Sequence, residues 1–503
     1  MFLRAAVAAF LAAAAAAACG SASCAAAGAC PTDAPTTAYG AGSYAWAETM
    51  VPWACVYSIK DYPGSPDAAF AAAQAAAVAA GGGVVFFPPG SYAFAGNISL
   101  SSNVVIRGAP DTRPAKSGKA PGSLSPTSIF SCPNRAHQGV WNFDPAAKNI
   151  GVVNLFLDQC AIMLWPGLKT SSYAPMLSSW WFSASDVVGM GMNKLVLGNV
   201  VRDVSLGQSL LGPKHNNTYP YIFSIAVGVY TDRNALVANN LLPASARDEQ
   251  TTITLDKAGQ MTVPYMYDNR YGIDVNTILL GAVAGAYAKG PGSKCGTPNA
   301  FAGLYPACAP FNFRAGITIR DNFVAQNGRV GISWTGGADG AMCAPGNGTQ
   351  VFNNHVEVKA GTTCYTLNGD AEVGGADTNE NRGYMNSGYC SNITANTGHV
   401  NRQKAGATPY ETVDGEGILH QSENGNNAYG DFYVANDLSG GGSGYIGVWG
   451  LPLTNFTVFY NNTVNPDQNI GVLSIQGSDA IGAEVHCAGN TPPAILGKNP
   501  CPA

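Results

Sequence analysis

Acidic side chains are scarce in this chain of 503 residues, which contains 31 Asp and Glu residues, and many of them gather between residues 370 and 423. The first group consists of Asp370, Glu372, Asp377 and Glu380, with Arg382 two residues further on. The second group consists of Glu411, Asp414, Glu416 and Glu423. We call residues 370–423 the acidic region. Its concentration of carboxylates makes it the candidate for chemistry.

Paired carboxylates suit two ways of cleaving a polysaccharide. A glycoside hydrolase needs one protonated carboxylic acid and a second carboxylate as base or nucleophile. A lyase that acts on uronates needs a base and a cation, either an arginine or Ca²⁺ held by Asp and Glu, to neutralise the sugar carboxylate. We therefore predict a catalytic role for Asp370, Glu372, Arg382, Asp414 and Glu416, with Asp414 and Glu416 also candidate Ca²⁺ ligands.

The spacing of these carboxylates predicts that they stack, if the chain forms coils. Asp370 and Asp414 are 44 residues apart, as are Glu372 and Glu416. With coils of a little over twenty residues, this interval is two coils, or roughly 10 Å, whereas one coil is about 5 Å. The wider separation suits an inverting pair of carboxylates, and the narrower one suits a retaining pair or a metal. Both remain open because loops can absorb part of the interval.

Four further residues are candidates for contact with the substrate. Aromatic rings stack on sugars, although core packing is the commoner role of an aromatic residue in an apolar chain. A single histidine four residues after Glu416 could act as its acid/base partner, although a lone histidine is more often structural. The candidates are Glu380, Tyr384, His420 and Trp449.

The elements that would position these residues are short strands separated by a recurring asparagine. Asn tolerates left-handed backbone geometry and therefore suits a tight bend between two strands. A solenoid of parallel strands needs one such bend per coil, whereas a sandwich or barrel favours two-residue hairpins. The recurrence includes Val237-Ala238-Asn239-Asn240, Val351-Phe352-Asn353-Asn354, Tyr433-Val434-Ala435-Asn436 and Phe459-Tyr460-Asn461-Asn462. It predicts stacked coils with parallel pairing.

A helix and a cluster of strands precede this pattern. Asp67 to Ala80 is rich in alanine and ends at three glycines, which predicts a helix. The following segment, GGGVVFFPPGSYAFAGNISLSSNVVIRG (81–108), predicts strands at Val84–Phe87 and from Ser91, then at Ile98–Leu100 and Val104–Ile106.

Residues 60–108 resemble the N-terminal signature of the pectate-lyase-like family, which includes rhamnogalacturonases and fungal glucanases. In that family a capping helix precedes a GGG-x-V-x-x-P-x-G-x-Y segment and strands that end in an L-R-G-like triplet. The resemblance implies a right-handed parallel β-helix with a short N-terminal capping helix. It leaves the reaction open, because lyases, hydrolases, epimerases and adhesins share this scaffold.

Two departures from that family matter here. The acidic stretch usual before the helix is replaced by Asp61-Tyr62-Pro63-Gly64-Ser65-Pro66-Asp67. The elements that mark polygalacturonase-type hydrolases are not found as a set, which argues against that activity.

Composition limits the class of partner and the organisation of the chain. The net charge of −5 and the lack of a basic cluster argue against nucleic-acid binding. Residues 1–22 have a basic start and an alanine-rich apolar stretch that is too short to span a bilayer, which predicts a signal peptide and no stable membrane insertion. We predict a low-complexity linker over 23–45 and one β-helix domain over 46–503, with a long loop insertion at about 245–312.

The cysteines also indicate an oxidising compartment. Removal of Cys19 with the signal leaves 12 of the 13 cysteines, an even number, and we expect bridges such as Cys295–Cys308 and Cys487–Cys501. Six N-x-S/T sequons predict glycosylation at Asn97, Asn216, Asn347, Asn392, Asn455 and Asn461.

Taken together, these features predict a secreted, monomeric polysaccharide-active enzyme, located outside the cell or in the cell wall. Its partner would be a glycan, and Ca²⁺ is the one candidate cofactor. The alternative is a non-catalytic β-helix protein that binds a glycan or serves as a structural protein of the cell wall or surface.

Overall fold

The computed structural model describes about half of the chain, including most of the repeating core. The described residues are 20, 22–25, 30–39, 43–109, 126–132, 139–142, 147–164, 191–202, 204, 225–231, 233–243, 254–255, 261–262, 271–276, 316–325, 330–334, 348–358, 381–386, 390–400, 415–421, 431–438, 445–449, 457–464, 473–476 and 485–491.

The strands stack into three sheets in which every pairing is parallel, each sheet taking one strand from each of many successive coils. Sheet A contains β1 (Val56–Ser58), β2 (Gly83–Phe87), β4 (Val104–Gly108), β7 (Ile150–Val153), β10 (Lys194–Leu197), β13 (Ala235–Ala238), β18 (Ile317–Arg320), β21 (Gln350–Phe352), β24 (Asn392–Thr394), β27 (Phe432–Val434), β30 (Thr457–Tyr460) and β33 (Val485–Ala488). Sheet B contains β3 (Gly90–Ala93), β5 (Ser128–Ser131), β8 (Phe156–Asp158), β11 (Val200–Arg202), β14 (Leu241–Leu242), β19 (Phe323–Val324), β22 (His355–Val358), β25 (Thr397–Val400), β28 (Asp437–Leu438) and β31 (Thr463–Val464). Sheet C contains β6 (Gly139–Trp141), β9 (Ala161–Leu164), β12 (Ile225–Tyr230), β17 (Tyr271–Asn276), β20 (Val330–Trp334), β23 (Asn381–Asn386), β26 (Gly415–Gln421), β29 (Tyr445–Trp449) and β32 (Leu473–Gln476).

This arrangement is a parallel β-helix, of the right-handed kind that parallel crossovers favour. The chain runs from sheet A to sheet B to sheet C and back to sheet A in each coil, so the predicted fold class is confirmed. Beside the three sheets, β15 (Thr254–Leu255) and β16 (Met261–Thr262) form an antiparallel pair.

The turn between sheets A and B is built by two adjacent residues with different tasks. The first adopts left-handed geometry, as Asn239, Asn353 and Asn461 do with φ of 54–55°, and as Ala395 and Ala435 do with φ of 54° and 53°. The second is a buried asparagine whose amide bonds to the next one along the solenoid. We call this row the asparagine ladder: Asn199, Asn240, Asn322, Asn354, Asn396, Asn436, Asn462 and Asn490.

The recurring asparagines mark these turns as predicted, but the bend does not depend on the asparagine that repeats in every coil. The residue that bends the backbone is the one before the ladder, and alanine can occupy it. The ladder asparagine is needed because its side chain satisfies backbone groups of two coils at once. Asn354, for example, donates to the carbonyl of Ile319 at 3.0 Å and to Oδ1 of Asn396 at 3.0 Å.

Among the described residues, the helices lie towards the N-terminus. They are α1 (Ala22–Ala25), α2 (Ala45–Thr49) and α3 (Pro66–Ala79), with 3-10 turns at Pro35–Tyr39 and Ile59–Asp61. The predicted helix corresponds to α3, which begins at Ser65, whose side chain accepts a hydrogen bond from the Ala68 amide at 3.3 Å. Its buried face, including Phe70 and Ala73, joins the interior core with Phe87. The strand predicted at Ile98–Leu100 is reduced to a single bridge between Ile98 and Val140.

The described residues of the segment predicted as a linker over 23–45, namely 23–25, 30–39 and 43–45, belong to a unit that packs on the outer face of sheet A. Cys24 and Cys30 form a disulfide, and Cys30 joins an apolar cluster with Trp53, Val105 and Leu195. The guanidinium of Arg107, 3% exposed, donates to the backbone carbonyl of Asp33 at 2.6 Å and to its carboxylate at 3.1 Å. Burial lowers the pKa of Arg107, and Asp33 opposes that shift. We call the described residues from 30 to 53 the N-terminal strap.

The single insertion predicted at about 245–312 is also wrong. Residues 271–276 form β17, which pairs with β12 and β20 as a regular member of sheet C. The interval therefore consists of two separate connections on either side of a core strand.

Candidate functional site on sheet C

Most of the long connections between described strands lead into or out of sheet C, and residues 109–127, which join β4 of sheet A to β5 of sheet B, are an exception. Between sheets A and B, two residues suffice in each of eight successive coils, from β7–β8 to β30–β31, for example between Ala238 and Leu241. The connections that lead into or out of sheet C include residues 203–224, 277–316, 335–349 and 359–380. Insertions on a repeated scaffold commonly carry its function, so sheet C is the sheet most suited to a site.

The outer face of sheet C can be identified from Tyr384. Its hydroxyl donates to the carbonyls of Asn354 and Thr397 at 3.0 and 2.7 Å, across the interior of the coil, so its side chain points inward. Ile332 and Ile273 occupy the same register on neighbouring strands and also point inward. Because successive residues of a strand alternate, Asp274 and Ser333 lie on the outer face.

Three polar side chains meet on that outer face around Asp274. The Tyr230 hydroxyl donates to Oδ2 of Asp274 at 3.1 Å, and the Ser333 hydroxyl donates to Oδ1. Their exposed fractions are 5% for Tyr230, 5% for Asp274 and 3% for Ser333. We call these residues the Asp274 cluster. Burial and two hydroxyl donors hold the carboxylate in one orientation, which suits a group that must meet a substrate at a fixed position.

Arg382 and Glu416, both predicted to be catalytic, are register partners on the adjacent strands β23 and β26. Their backbones are therefore about 4.8 Å apart. Glu416 also pairs with Tyr445, and a register shift follows between Glu416 and Ile418, where Gly417 is the extra residue. Such bulges occur often beside functional sites because they redirect a neighbouring side chain. Asp274 lies two strands from β23, or about 10 Å across the sheet.

The remaining predicted carboxylates, Asp370, Glu372, Glu380 and Asp414, lie outside the described residues. Their 44-residue spacing was interpreted with too short a coil. Successive ladder asparagines are 42 residues apart from Asn354 to Asn396 and 40 apart from Asn396 to Asn436. An interval of 44 residues in this region therefore corresponds to about one coil and not to two.

Three predicted substrate-binding residues lie on sheet C strands. The assignment of Tyr384 is wrong, because its ring is fully buried in the core and its hydroxyl is engaged by backbone carbonyls. His420 is the register partner of Asn386, whose side chain is buried and donates to the Tyr433 hydroxyl at 3.2 Å. Trp449 pairs with Gln421. The roles of His420 and Trp449 stay predictions.

The glycines of this sheet serve the core. A Cβ at Gly331 would collide with Val356, and one at Gly272 would collide with Val324. Gly417 follows Glu416 as Gly383 follows Arg382, so it occupies the same place in the coil.

Sequence reasoning missed the Asp274 cluster although a signal was present. Two segments share the pattern glycine, apolar, polar, apolar. They are Tyr271-Gly272-Ile273-Asp274-Val275 and Val330-Gly331-Ile332-Ser333-Trp334. Aligned in register, they place the carboxylate and the hydroxyl side by side.

Only some of the cysteines and sequons lie among the described residues. Cys132 and Cys160 form a second bridge, and Cys55, Cys390 and Cys487 are also disulfide-bonded. Cys295, Cys308 and Cys501 lie outside the described residues, so both predicted pairings stay predictions. Among the sequons, Asn97 and Asn461 are exposed and Asn392 is partly exposed. Asn216, Asn347 and Asn455 lie outside the described residues.

Within the described part of the chain, no group of three or more His, Cys, Asp or Glu side chains could hold a metal ion. No helix there is long and apolar enough to cross a membrane.

No protein-family model matches the sequence, and no curated protein matches it. Solved structures with a similar course of the chain include the catalytic unit of an α-1,3-glucanase from Streptomyces thermodiastaticus, at 12% identity over 87% of this chain and 68% of that one, with a TM-score of 0.37. A mannuronan C-5 epimerase A-module from Azotobacter vinelandii shares 11% identity over 88% and 100%, with a TM-score of 0.28. The surface adhesin PfbA of Streptococcus pneumoniae shares 13% over 86% and 96%, with a TM-score of 0.34. The chain is a parallel β-helix protein, and its strand register alone establishes that class.

Proposed function

We propose that the protein is a secreted polysaccharide-active enzyme, a glycoside hydrolase or polysaccharide lyase, whose substrate lies along the outer face of sheet C. The observation that carries this proposal is the Asp274 cluster, a fixed carboxylate on the sheet into and out of which most of the long connections run. Nine strands at about 4.8 Å give this face a length of roughly 40 Å, which suits a polymer better than a small molecule.

The chemistry requires at least two groups of different character. Asp274, held by Tyr230 and Ser333, would serve as one acid/base or positioning carboxylate. Arg382 and Glu416, one coil apart, would bring a cation beside a second carboxylate at another point along the same sheet. Arg382 would neutralise a uronate carboxylate if the substrate is acidic. Asp414 and Glu416 stay candidate Ca²⁺ ligands, and no step of this proposal requires the metal.

Two assays on the secreted protein separate the reaction types. Elimination from uronate polymers creates an unsaturated product that absorbs ultraviolet light, and hydrolysis releases reducing ends without that absorbance. A panel of plant, fungal and bacterial polysaccharides would be tested in both assays. The proposal predicts turnover of at least one of them, and no turnover of any would overturn it.

Variants then locate the site. Asp274→Asn is expected to lower kcat by about 100-fold or more if the carboxylate transfers a proton. Glu416→Gln is expected to do the same. The matched control is Glu357→Gln, an exposed carboxylate on sheet B whose loss should leave the rate unchanged. Full activity in both Asp274→Asn and Glu416→Gln would remove the site from sheet C.

A non-catalytic glycan-binding protein is the second candidate function. The observation in its favour is that both oxygens of Asp274 accept hydrogen bonds in a buried setting, as in a purely structural carboxylate. Retention of a polysaccharide without any turnover would support this function over the enzyme.

A further inference from the structure

We propose that the outer face of sheet A, from β21 to β33, is a separate binding surface for a neutral oligosaccharide. This surface is independent of the outer face of sheet C and does not rest on the enzymatic proposal. We call it the open half of sheet A. Its inward-facing partners Val351, Ile393, Tyr433 and Phe459 lie in the interior core, so the residues between and beside them face outward.

The N-terminal strap defines where the open half begins. The strap covers the apolar outer face of the earlier strands, including Val105, Val153 and Leu195. Tyr44 of the strap reaches Arg320 of β18, whose guanidinium lies 5.6 Å from the Tyr44 ring centroid and 5.5 Å from that of Phe352. Beyond Phe352, no described residue of the strap contributes to the apolar cluster on this face.

The outward residues of the open half combine aromatic rings with a row of oriented amides. Asn392 donates through Nδ2 to Oε1 of Gln350 at 2.9 Å, and the Thr394 hydroxyl donates to Oδ1 of Asn392 at 2.8 Å. Phe432 follows Asn392 in the same register, and Tyr460 is 37% exposed in the neighbouring row. The NH₂ groups of Asn392 and Gln350 have two donor hydrogens each, of which one donates to Oε1 of Gln350 and one to the Gly348 carbonyl at 2.9 Å, respectively.

This chemistry matches a sugar chain. Fixed amides can exchange hydrogen bonds with hydroxyl groups, and aromatic rings bury the apolar faces of sugar rings. The strands repeat at about 4.8 Å, so from β21 to β33 the surface extends over roughly 19 Å. That length accommodates an oligosaccharide of several residues.

The lack of charged side chains among the described residues of this surface favours a neutral glycan as the ligand. Among the described residues that face outward on β21, β24, β27, β30 and β33, none is Asp, Glu, Lys or Arg. A uronate polymer or a strongly charged protein surface would find no counter-charge there, whereas a neutral glycan requires none. The surface therefore differs from the outer face of sheet C, where the Asp274 carboxylate supplies charge.

Asn392 is also the first residue of a glycosylation sequon, and the proposed surface requires that its side chain carry no glycan. Its Nδ2, the atom that would carry an N-linked glycan, already donates to Gln350 within the amide row. We therefore expect Asn392 to be unmodified in the secreted protein. Asn97 lies away from this face and is exposed, so its modification would have no effect on the surface.

The test is calorimetric titration of the full secreted protein with neutral oligosaccharides of glucose, xylose and mannose, and with oligogalacturonate as the acidic probe. At least one neutral oligosaccharide is expected to bind. Tyr460→Ala and Gln350→Ala should each weaken that binding at least tenfold, with the melting temperature used to confirm that both variants fold. Thr463→Ala and Glu357→Gln, both on sheet B, are the matched controls, and both should bind the neutral oligosaccharide as the unaltered protein does.

Several results would overturn the proposal. These are binding of the acidic probe alone, neutral binding that both variants leave intact, or peptide mapping that finds a glycan on Asn392. A dimer in sedimentation experiments that Tyr460→Ala dissociates would instead assign this face to a second copy of the chain. If Asp274→Asn loses catalytic activity but still binds the neutral oligosaccharide, the result supports two separate sites, one on sheet C and one on sheet A.

Discussion

At the scale of single residues, the asparagine ladder explains how a chain with so few charged groups keeps its turns in register. Each ladder asparagine accepts from the backbone amide and side chain of the previous one and donates to a carbonyl of an earlier coil. A buried amide is stable only when such groups are satisfied. The ladder therefore links neighbouring coils through a buried network that any polar or apolar replacement would break.

Replacing one ladder residue should be far more damaging than replacing its neighbour in sequence. Asn354→Ala removes the side-chain hydrogen bonds to the backbone amide and side chain of Asn322, to Oδ1 of Asn396 and to the Ile319 carbonyl. We therefore expect a loss of about 3–5 kcal/mol in the free energy of unfolding. Asn353→Ala, in the exposed left-handed position, should cost about 1 kcal/mol. Denaturant unfolding of both variants measures the difference, and equal losses would contradict the assigned roles.

The same residues show what a sequence can and cannot reveal at this scale. Pairs such as Asn239-Asn240 located the turns because their spacing follows the coils. The sequence does not show which residue of the pair bends the backbone and which is buried, because both are asparagines. Tyr384 was misassigned for a related reason: an aromatic residue on a strand faces either solvent or core, and only the register with Ile332 decides between them.

At the scale of elements, the N-terminal strap is part of the folded unit. Its first part, residues 30–43, consists mostly of small or polar residues in sequence and therefore resembles a linker. Their role comes from what they cover, because the outer face of sheet A carries Val105, Val153 and Leu195. A sheet face of this kind would otherwise expose a continuous apolar patch. Sequence reasoning could not reach this conclusion without knowing which strand face remains uncovered.

Deletion of residues 23–44 should therefore destabilise the β-helix. It exposes the apolar face and leaves the buried Arg107 without Asp33, which together should cost about 3 kcal/mol or more. We expect a lower melting temperature and increased binding of a dye that reports exposed apolar surface. The point variant Asp33→Asn keeps the strap and should cost about 1 kcal/mol. Unchanged melting of the deletion variant would restore the linker interpretation.

The variable number of residues per coil also limits how well the site can be predicted from the sequence. Ladder asparagines are 26 residues apart between Asn436 and Asn462 and 82 apart between Asn240 and Asn322. Linear spacing cannot align strands when one coil varies this much. The adjacency of Arg382 and Glu416 therefore needed the register, although the choice of both residues came from their types alone.

At the scale of the whole molecule, the solenoid core contains ionisable groups that constrain its stability in alkali. Burial raises the pKa of Tyr384 well above 10, and burial with the nearby Asp431 carboxylate raises that of Tyr433 in the same way. A raised pKa in the folded state means that stability is fully present below pH 10 and falls as pH rises above it.

We therefore predict that the protein loses stability above about pH 10, with Tyr384 and Tyr433 ionising only on unfolding. Tyrosinate absorbance during an alkaline titration, compared with circular dichroism, measures both events. In Tyr384→Phe, which removes one of the two groups, the pH dependence above pH 10 should be weaker. An unchanged slope in that variant would contradict the assignment.

The sequence carried the overall architecture because a solenoid repeats its signals in every coil. The Gly81–Gly108 segment and the asparagine turns both predicted parallel coils, and the three sheets confirm them. A functional site has no such repetition. The Asp274 cluster joins residues from three strands, β12, β17 and β20, and its hydrogen bonds depend on a register that no single segment contains.

The most direct test of the central claim is a crystal structure of the protein with a substrate or product oligosaccharide bound. The account predicts a sugar chain along the outer face of sheet C, within hydrogen-bonding distance of Asp274, Arg382 or Glu416. Sugar found only on sheet A or sheet B, with the outer face of sheet C free of it, would contradict that claim.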